Sequence, residues 1–140
     1  MADPKRVLLA VLVGGVVLFA SGYLIFNVLF AAFYTANAGS ATSVDRDSPL
    51  MWALVTASCA YAALIVYAIG TRNLSIGQGA VVGSVVGCLL WLTTDLYLYG
   101  ATNVANLTRT AVDPVLEFIH GGIGGAAIAA VLGRRGGSHA

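Results

Sequence analysis

Residues Val7–Phe33 read VLLAVLVGGVVLFASGYLIFNVLFAAF, a run with no charged side chain and only Asn27 as a strongly polar one. A spanning helix needs about 20 mostly apolar residues, and a signal-peptide core only about 7–15. The run outlasts both, so it reads as a retained span that tilts or extends into the headgroups. Three further apolar stretches follow, Leu50–Ile69, Ile76–Gly100 and Ala111–Leu132. Composition agrees: 59% of the 140 residues are hydrophobic and 9% are charged, against about 25% charged in a soluble domain. Mean hydropathy is +0.87. Such a chain cannot cover a water-facing surface with polar groups; a lipid bilayer is the solvent that suits it. The expected fold is an all-α membrane protein, four transmembrane helices in an up-and-down bundle forming a single domain over 1–140. That leaves no room for a separate soluble domain.

The linkers are polar and short. Thr35–Pro49 (TANAGSATSVDRDSP) is the longest, and Ser48-Pro49 is placed to cap and start the second helix. Thr71-Arg72-Asn73 turns the chain between spans two and three, and Ala101–Thr110 (ATNVANLTRT) joins three and four. Lys5, Arg6, Arg72, Arg134 and Arg135 fall on one side of the membrane, Arg46 and Arg109 on the other. Basic flanks stay inside, so both termini are expected in the cytoplasm. A net charge of +1 gives no footprint for nucleic acid.

Small residues recur at helical spacing. Ser75, Gly79, Gly83 and Gly87 follow one another every fourth position in the third span. The fourth carries Gly121, Gly122, Gly124 and Gly125, and the first Gly14, Gly15, Ser21 and Gly22. Absent side chains let helix backbones approach closely. This glycine-zipper pattern serves either packing within one bundle or a homo-oligomer.

Ionisable residues inside a span are functional candidates. With a rise of about 1.5 Å per residue, Asn27, Asp95, Asp113, Glu117 and His120 all fall in the outer half. Asp113, Glu117 and His120 are spaced i, i+4, i+7, hence on one helical face. If that face meets Asp95 and Asn27, the bundle encloses an outward-facing polar pocket. The alternative is interhelical hydrogen-bond glue. Asp113, followed by Pro114, reads as an anion in the first turn of the fourth helix. Glu117-x-x-His120 has the spacing of a di-iron ligand pair, but such sites need two pairs plus further glutamates. Only a symmetric dimer would complete one, so no metal or other cofactor is expected from one chain. No nucleophile motif accompanies His120. Cys59 and Cys88 lie in apolar runs and read as core residues. Asn106-Leu107-Thr108 matches the glycosylation sequon, as does Asn73-Leu74-Ser75, which the expected topology leaves on the cytoplasmic side.

The segments Asp95–Asn103 (DLYLYGATN), Asn106–Thr108 (NLT), Val112-Asp113 and Gly121–Gly133 (GGIGGAAIAAVLG) together resemble small four-helix bacterial integral membrane proteins of unknown function. Gly14–Phe19 (GGVVLF), Phe33–Gly39 (FYTANAG) and Met51–Leu54 (MWAL) extend the likeness over nearly the whole chain. The resemblance implies a four-helix inner-membrane protein and brings no activity. Asp95 and the Asn-Leu-Thr linker fit that pattern; Glu117 and His120 depart from it, apolar or small residues being expected there.

Three functions follow as expectations. The first is a non-catalytic membrane module acting by helix–helix assembly with itself or as an accessory subunit of a larger complex. The second is a small transporter, channel or ligand-binding protein using Asn27, Asp95, Glu117 and His120 as its pocket. The third is a membrane enzyme with a metal site at Glu117 and His120, completed in a dimer.

Overall fold

A computed structural model of the chain describes residues 3–133. Helix α1 (Pro4–Gly22) starts where the Asp3 carboxylate accepts the Lys5 backbone N–H at 3.1 Å, with Pro4 in the first turn, where its missing donor is harmless. It passes into a π-helical segment, Tyr23–Leu29, breaks at Phe30, and ends in the short α2 (Ala31–Ala36). Helix α3 covers Met51–Ile69 and stops at Gly70, whose φ of +61° suits a residue without a Cβ. Helix α4 (Ile76–Ala101) opens with a reciprocal cap: the Ser75 hydroxyl accepts the Gln78 N–H and the Gln78 side chain accepts the Ser75 N–H. Helix α5 (Leu107–Gly133) begins where the Asn106 side chain accepts the Arg109 N–H at 2.9 Å.

Four helical stretches are long and apolar enough to cross a membrane: Pro4–Leu29, Met51–Ile69, Ile76–Ala101 and Leu107–Gly133. They pack together with α5 at the centre, touching α1, α3 and α4. Large apolar side chains that face outward, among them Leu12, Val16, Leu64, Val85, Leu89 and Ile119, are what a lipid solvent selects.

Several boundaries differ from those read in the sequence. The first span is not one regular helix. The Leu18 carbonyl accepts His120 Nε2 at 2.9 Å, and one turn later the helix widens until Phe30 N–H reaches back five residues to Ile25 at 2.9 Å. A side chain entering the backbone ladder is a known cause of such a bulge. Ser48-Pro49 does not start α3, which begins at Met51 with Leu50 in the cap position and no side-chain cap. The fourth helix begins at Leu107, a turn before Ala111, so Asp113 and Pro114 are interior rather than first-turn residues. Arg134 and Arg135 lie outside the described residues.

Glycines set the spacing. Along α4 and α5 the backbones meet so closely that a Cβ added to Gly83 would stand 2.8 Å from Gly125 Cα, and one added to Gly125 would stand 2.9 Å from Gly83 Cα. A Cβ at Gly79 or at Gly121 would likewise collide with the opposite backbone. Ser75 is not in this seam; it is exposed, and its hydroxyl is the α4 cap. Gly14 makes room for Ile128, Gly15 for Cys59 and Gly124 for Leu18.

The bundle has two unlike halves. Around the start of α1 and α4 and the end of α3 and α5, Ala10, Leu18, the Tyr61 ring, Ala62, Ile65, Val66, Ile69 and Ile128 form a dry core. At the other end the two longer linkers are tied together. Ala38 faces Ala105 in an antiparallel bridge, Gly39 N–H donates to Val104 O at 3.0 Å, and Asn106 Nδ2 donates to Asn37 Oδ1 at 3.2 Å. Gly39 is needed there, since a Cβ would lie 2.6 Å from the Asn103 carbonyl carbon.

Candidate functional site

The half of the bundle below the tied linkers holds the polar groups. One face of α5 carries Thr110, Asp113, Glu117 and His120, and all four are buried. Glu117 is 2% exposed and His120 is 6% exposed. His120 Nδ1 lies 2.8 Å from Glu117 Oε2, and Nε2 lies 2.9 Å from the Leu18 carbonyl of α1. A carbonyl oxygen can only accept, so Nε2 carries the hydrogen. From α3 the Tyr61 hydroxyl donates to Glu117 Oε2 at 3.3 Å. Three helices therefore converge on one Glu–His pair.

Glycines admit Tyr61 to this pair. A Cβ on Gly121 would stand 2.7 Å from the Tyr61 hydroxyl, and one on Gly87 would overlap it. Across the α4–α5 seam Gly87 lies against the Glu117 backbone and Gly121 against the Gly83 backbone, and together they leave a slot for the phenol. Gly22 does the same for the imidazole, its added Cβ falling 3.1 Å from Nε2. Phe26 and Tyr61 then stand edge-on to the ring, centroids 5.5 and 5.7 Å away.

Nearer the linkers, Tyr34 of α2 donates its hydroxyl to Asp113 Oδ1. The Arg109 guanidinium sits over the Tyr34 ring, 5.0 Å from its centroid. Arg109 also lines an open cleft of about 220 Å³ with Ala38, Ala41, Ser43, Val44, Asp45 and Val104. Polar groups thus run from the linker surface through Arg109, Tyr34 and Asp113 to Glu117 and His120. There they meet the dry core and stop.

The sequence-derived pocket is assembled only in part. Glu117 and His120 are in contact, and Asp113 shares their face. Asp95 is half-buried on α4, in line with the stripe Gly79, Gly83, Gly87, Trp91, and its Oδ2 and the Trp91 indole N–H are buried with no partner. Asn27 is on the outside of the bundle, exposed. The π-helical segment changes the angle per residue and leaves Phe26, not Asn27, on the His120 side. Tyr34, Tyr61 and Thr110 were missing from the sequence reading. Among the described residues no three His, Cys, Asp or Glu side chains converge as a metal-binding group, and both ring nitrogens of His120 already face protein partners.

Fold and site define a small multi-span membrane protein with a polar cluster buried in one half of its helical bundle. No family model, curated protein or solved structure matches the chain.

Proposed function

We propose that the protein is a ligand-binding membrane bundle whose site is the Glu117–His120 pair, entered from the linker end alone. The observation that carries this is the pair itself: an ionisable couple buried among three helices in a lipid-solvated bundle. Interhelical glue needs no ionisable groups, since serine, threonine or asparagine supply it without the penalty of a charge in hydrocarbon. The dry core at the other end favours a dead-end site over a continuous channel. The basic flanks favour termini in the cytoplasm and the site facing outward across the bacterial inner membrane.

The experiment compares melting temperatures of the wild type and Glu117→Gln in detergent. The probes are pH, sodium against potassium chloride, and zinc chloride. A species that binds the folded site raises its stability by mass action. The expected result is a dependence on at least one probe that vanishes in Glu117→Gln. Identical dependence in both proteins would leave the cluster as glue.

A second reading, the non-catalytic assembly module, rests on α4. Only 17% of its apolar window is buried, against 44% for α5, so its outer face is available to lipid or to another membrane helix. Gly79, Gly83, Gly121 and Gly125 face the opposite helix within one chain, which removes these four as the surface for a second copy.

A further inference from the structure

The buried pair has a definable occupant, an inference that rests on reading it as a binding site. His120 Nδ1, His120 Nε2 and Glu117 Oε2 each already touch a protein atom. Phe26, Tyr61 and Gly22 close around the ring. Those three atoms have no lone pair left for a metal ion or the polar group of a solute, and Glu117 Oε1 alone is a single ligand. A proton needs no volume.

The hydrogen-bond chemistry points the same way. Nε2 must donate to the Leu18 carbonyl, so Nδ1 is the nitrogen that faces the carboxylate. Two lone pairs 2.8 Å apart repel, so a proton lies between Nδ1 and Oε2. We infer that Glu117 and His120 form a proton-binding site, loaded in this structure, and that Tyr34 and Asp113 carry the proton between it and the linker end.

Loading makes and breaks only O–H and N–H bonds. The Tyr34 hydroxyl hydrogen moves to Asp113 Oδ1 along the hydrogen bond already present, and the phenol oxygen takes a replacement from hydronium at the linker end, which leaves as water. Asp113 and Glu117, one turn apart on the same face, share no hydrogen bond, so a water molecule between them relays the proton, and Glu117 Oε2 shares it with Nδ1. Release reverses these steps and leaves Nδ1 facing a carboxylate with no hydrogen between them. Either the pair separates, or the ring hydrogen moves to Nδ1 and the Leu18 bond is lost. Proton release therefore opens one of the two bonds that hold His120. The other titratable or charged groups around the pair are Tyr61 of α3, Cys88 and Asp95 of α4, Arg109 and Asp113 of α5 itself, and Tyr34 of α2. Helix α1 offers the Leu18 carbonyl and the Ser21 hydroxyl.

The test is nitrogen NMR of the His120 ring in the full chain in lipid nanodiscs. Both ring nitrogens should respond to pH together, and that response should change in Glu117→Gln. Exchange of the ring hydrogens with solvent should slow about tenfold or more in Tyr34→Phe and in Asp113→Asn, as expected when a proton-transfer step loses its relay group. A ring that ignores pH, or responds alike in wild type and Glu117→Gln, overturns the proton site; unslowed exchange in both relay variants overturns the route. Should Glu117→Gln fail to fold, Tyr61→Phe replaces it: it removes only a donor to Oε2, and an unchanged His120 midpoint would count against the shared proton. Native mass spectrometry with zinc and with sodium separates the two levels of the argument. An ion held by the wild type and lost in Glu117→Gln refutes the proton as occupant but keeps the binding site, whereas no dependence on pH, zinc or sodium removes both.

Discussion

Tyr61 reaches Glu117 through a slot that exists only because positions 87 and 121 have no side chains. Removing the hydroxyl should therefore act on the pair and leave the packing of the ring. Tyr61→Phe is expected to destabilise the bundle by about 1 kcal/mol, the usual net worth of a buried hydrogen bond, read from unfolding curves in mixed micelles. No loss would mean that the 3.3 Å contact carries no energy. At this scale the sequence was legible where partners are neighbours. Glu117 and His120 are three apart on one helix, and their contact follows from helical periodicity. Tyr34 lies 79 residues from Asp113, and Tyr61 lies 56 from Glu117; no local period reports such pairs. The glycines at 87 and 121 were the available signal, since a slot between two backbones implies something to fill it.

Helices α4 and α5 approach along Gly79, Gly83 and Gly87 until Trp91 and Asp95 take over the same stripe. The polar pair sits beside this seam: a Cβ on Gly87 would lie 2.5 Å from the Glu117 carbonyl oxygen. Gly83→Leu places a branched side chain against Gly125, where neither partner can yield. Loss at or above the top of the usual overpacking range of about 1–3 kcal/mol is expected, with Leu9→Ile on the lipid side as a near-neutral control. Equal stability of the two variants would show that the seam does not hold the bundle. The small-residue spacing was readable because it repeats with the helix period. The π-helical turn at Tyr23–Leu29 was not, because no local period in the sequence marks it; the His120 contact with Leu18, just before it, comes from another helix. Depth alone places Asn27 in the outer half and says nothing of which side of the helix it takes; it lies on the outside of the bundle. Asp113 was read as an N-terminal anion because Pro114 resembled a helix start; Asn106 starts the helix earlier, and the carboxyl is carried inward to Tyr34.

The whole molecule is a membrane bundle with a dry half and a polar half; composition points to the bilayer, and the four apolar runs mark the four helices. Which half faces which compartment is a matter of flanking charge. The proposed orientation expects a reporter inserted in the Ala38–Ser43 linker to be exported and one at Asn73 to stay cytoplasmic; the reverse pattern would turn the site toward the cytoplasm. The central claim is that the buried Glu117–His120 site communicates with the linker face alone. It is tested by infrared spectroscopy of the protein reconstituted in one orientation, with pH changed on one face at a time and the Glu117 carboxyl bands assigned by difference from Glu117→Gln. The account predicts that those bands change when the linker face is titrated and stay fixed when the face bearing the termini is titrated. Bands that follow the terminal face, or both faces equally, would contradict it.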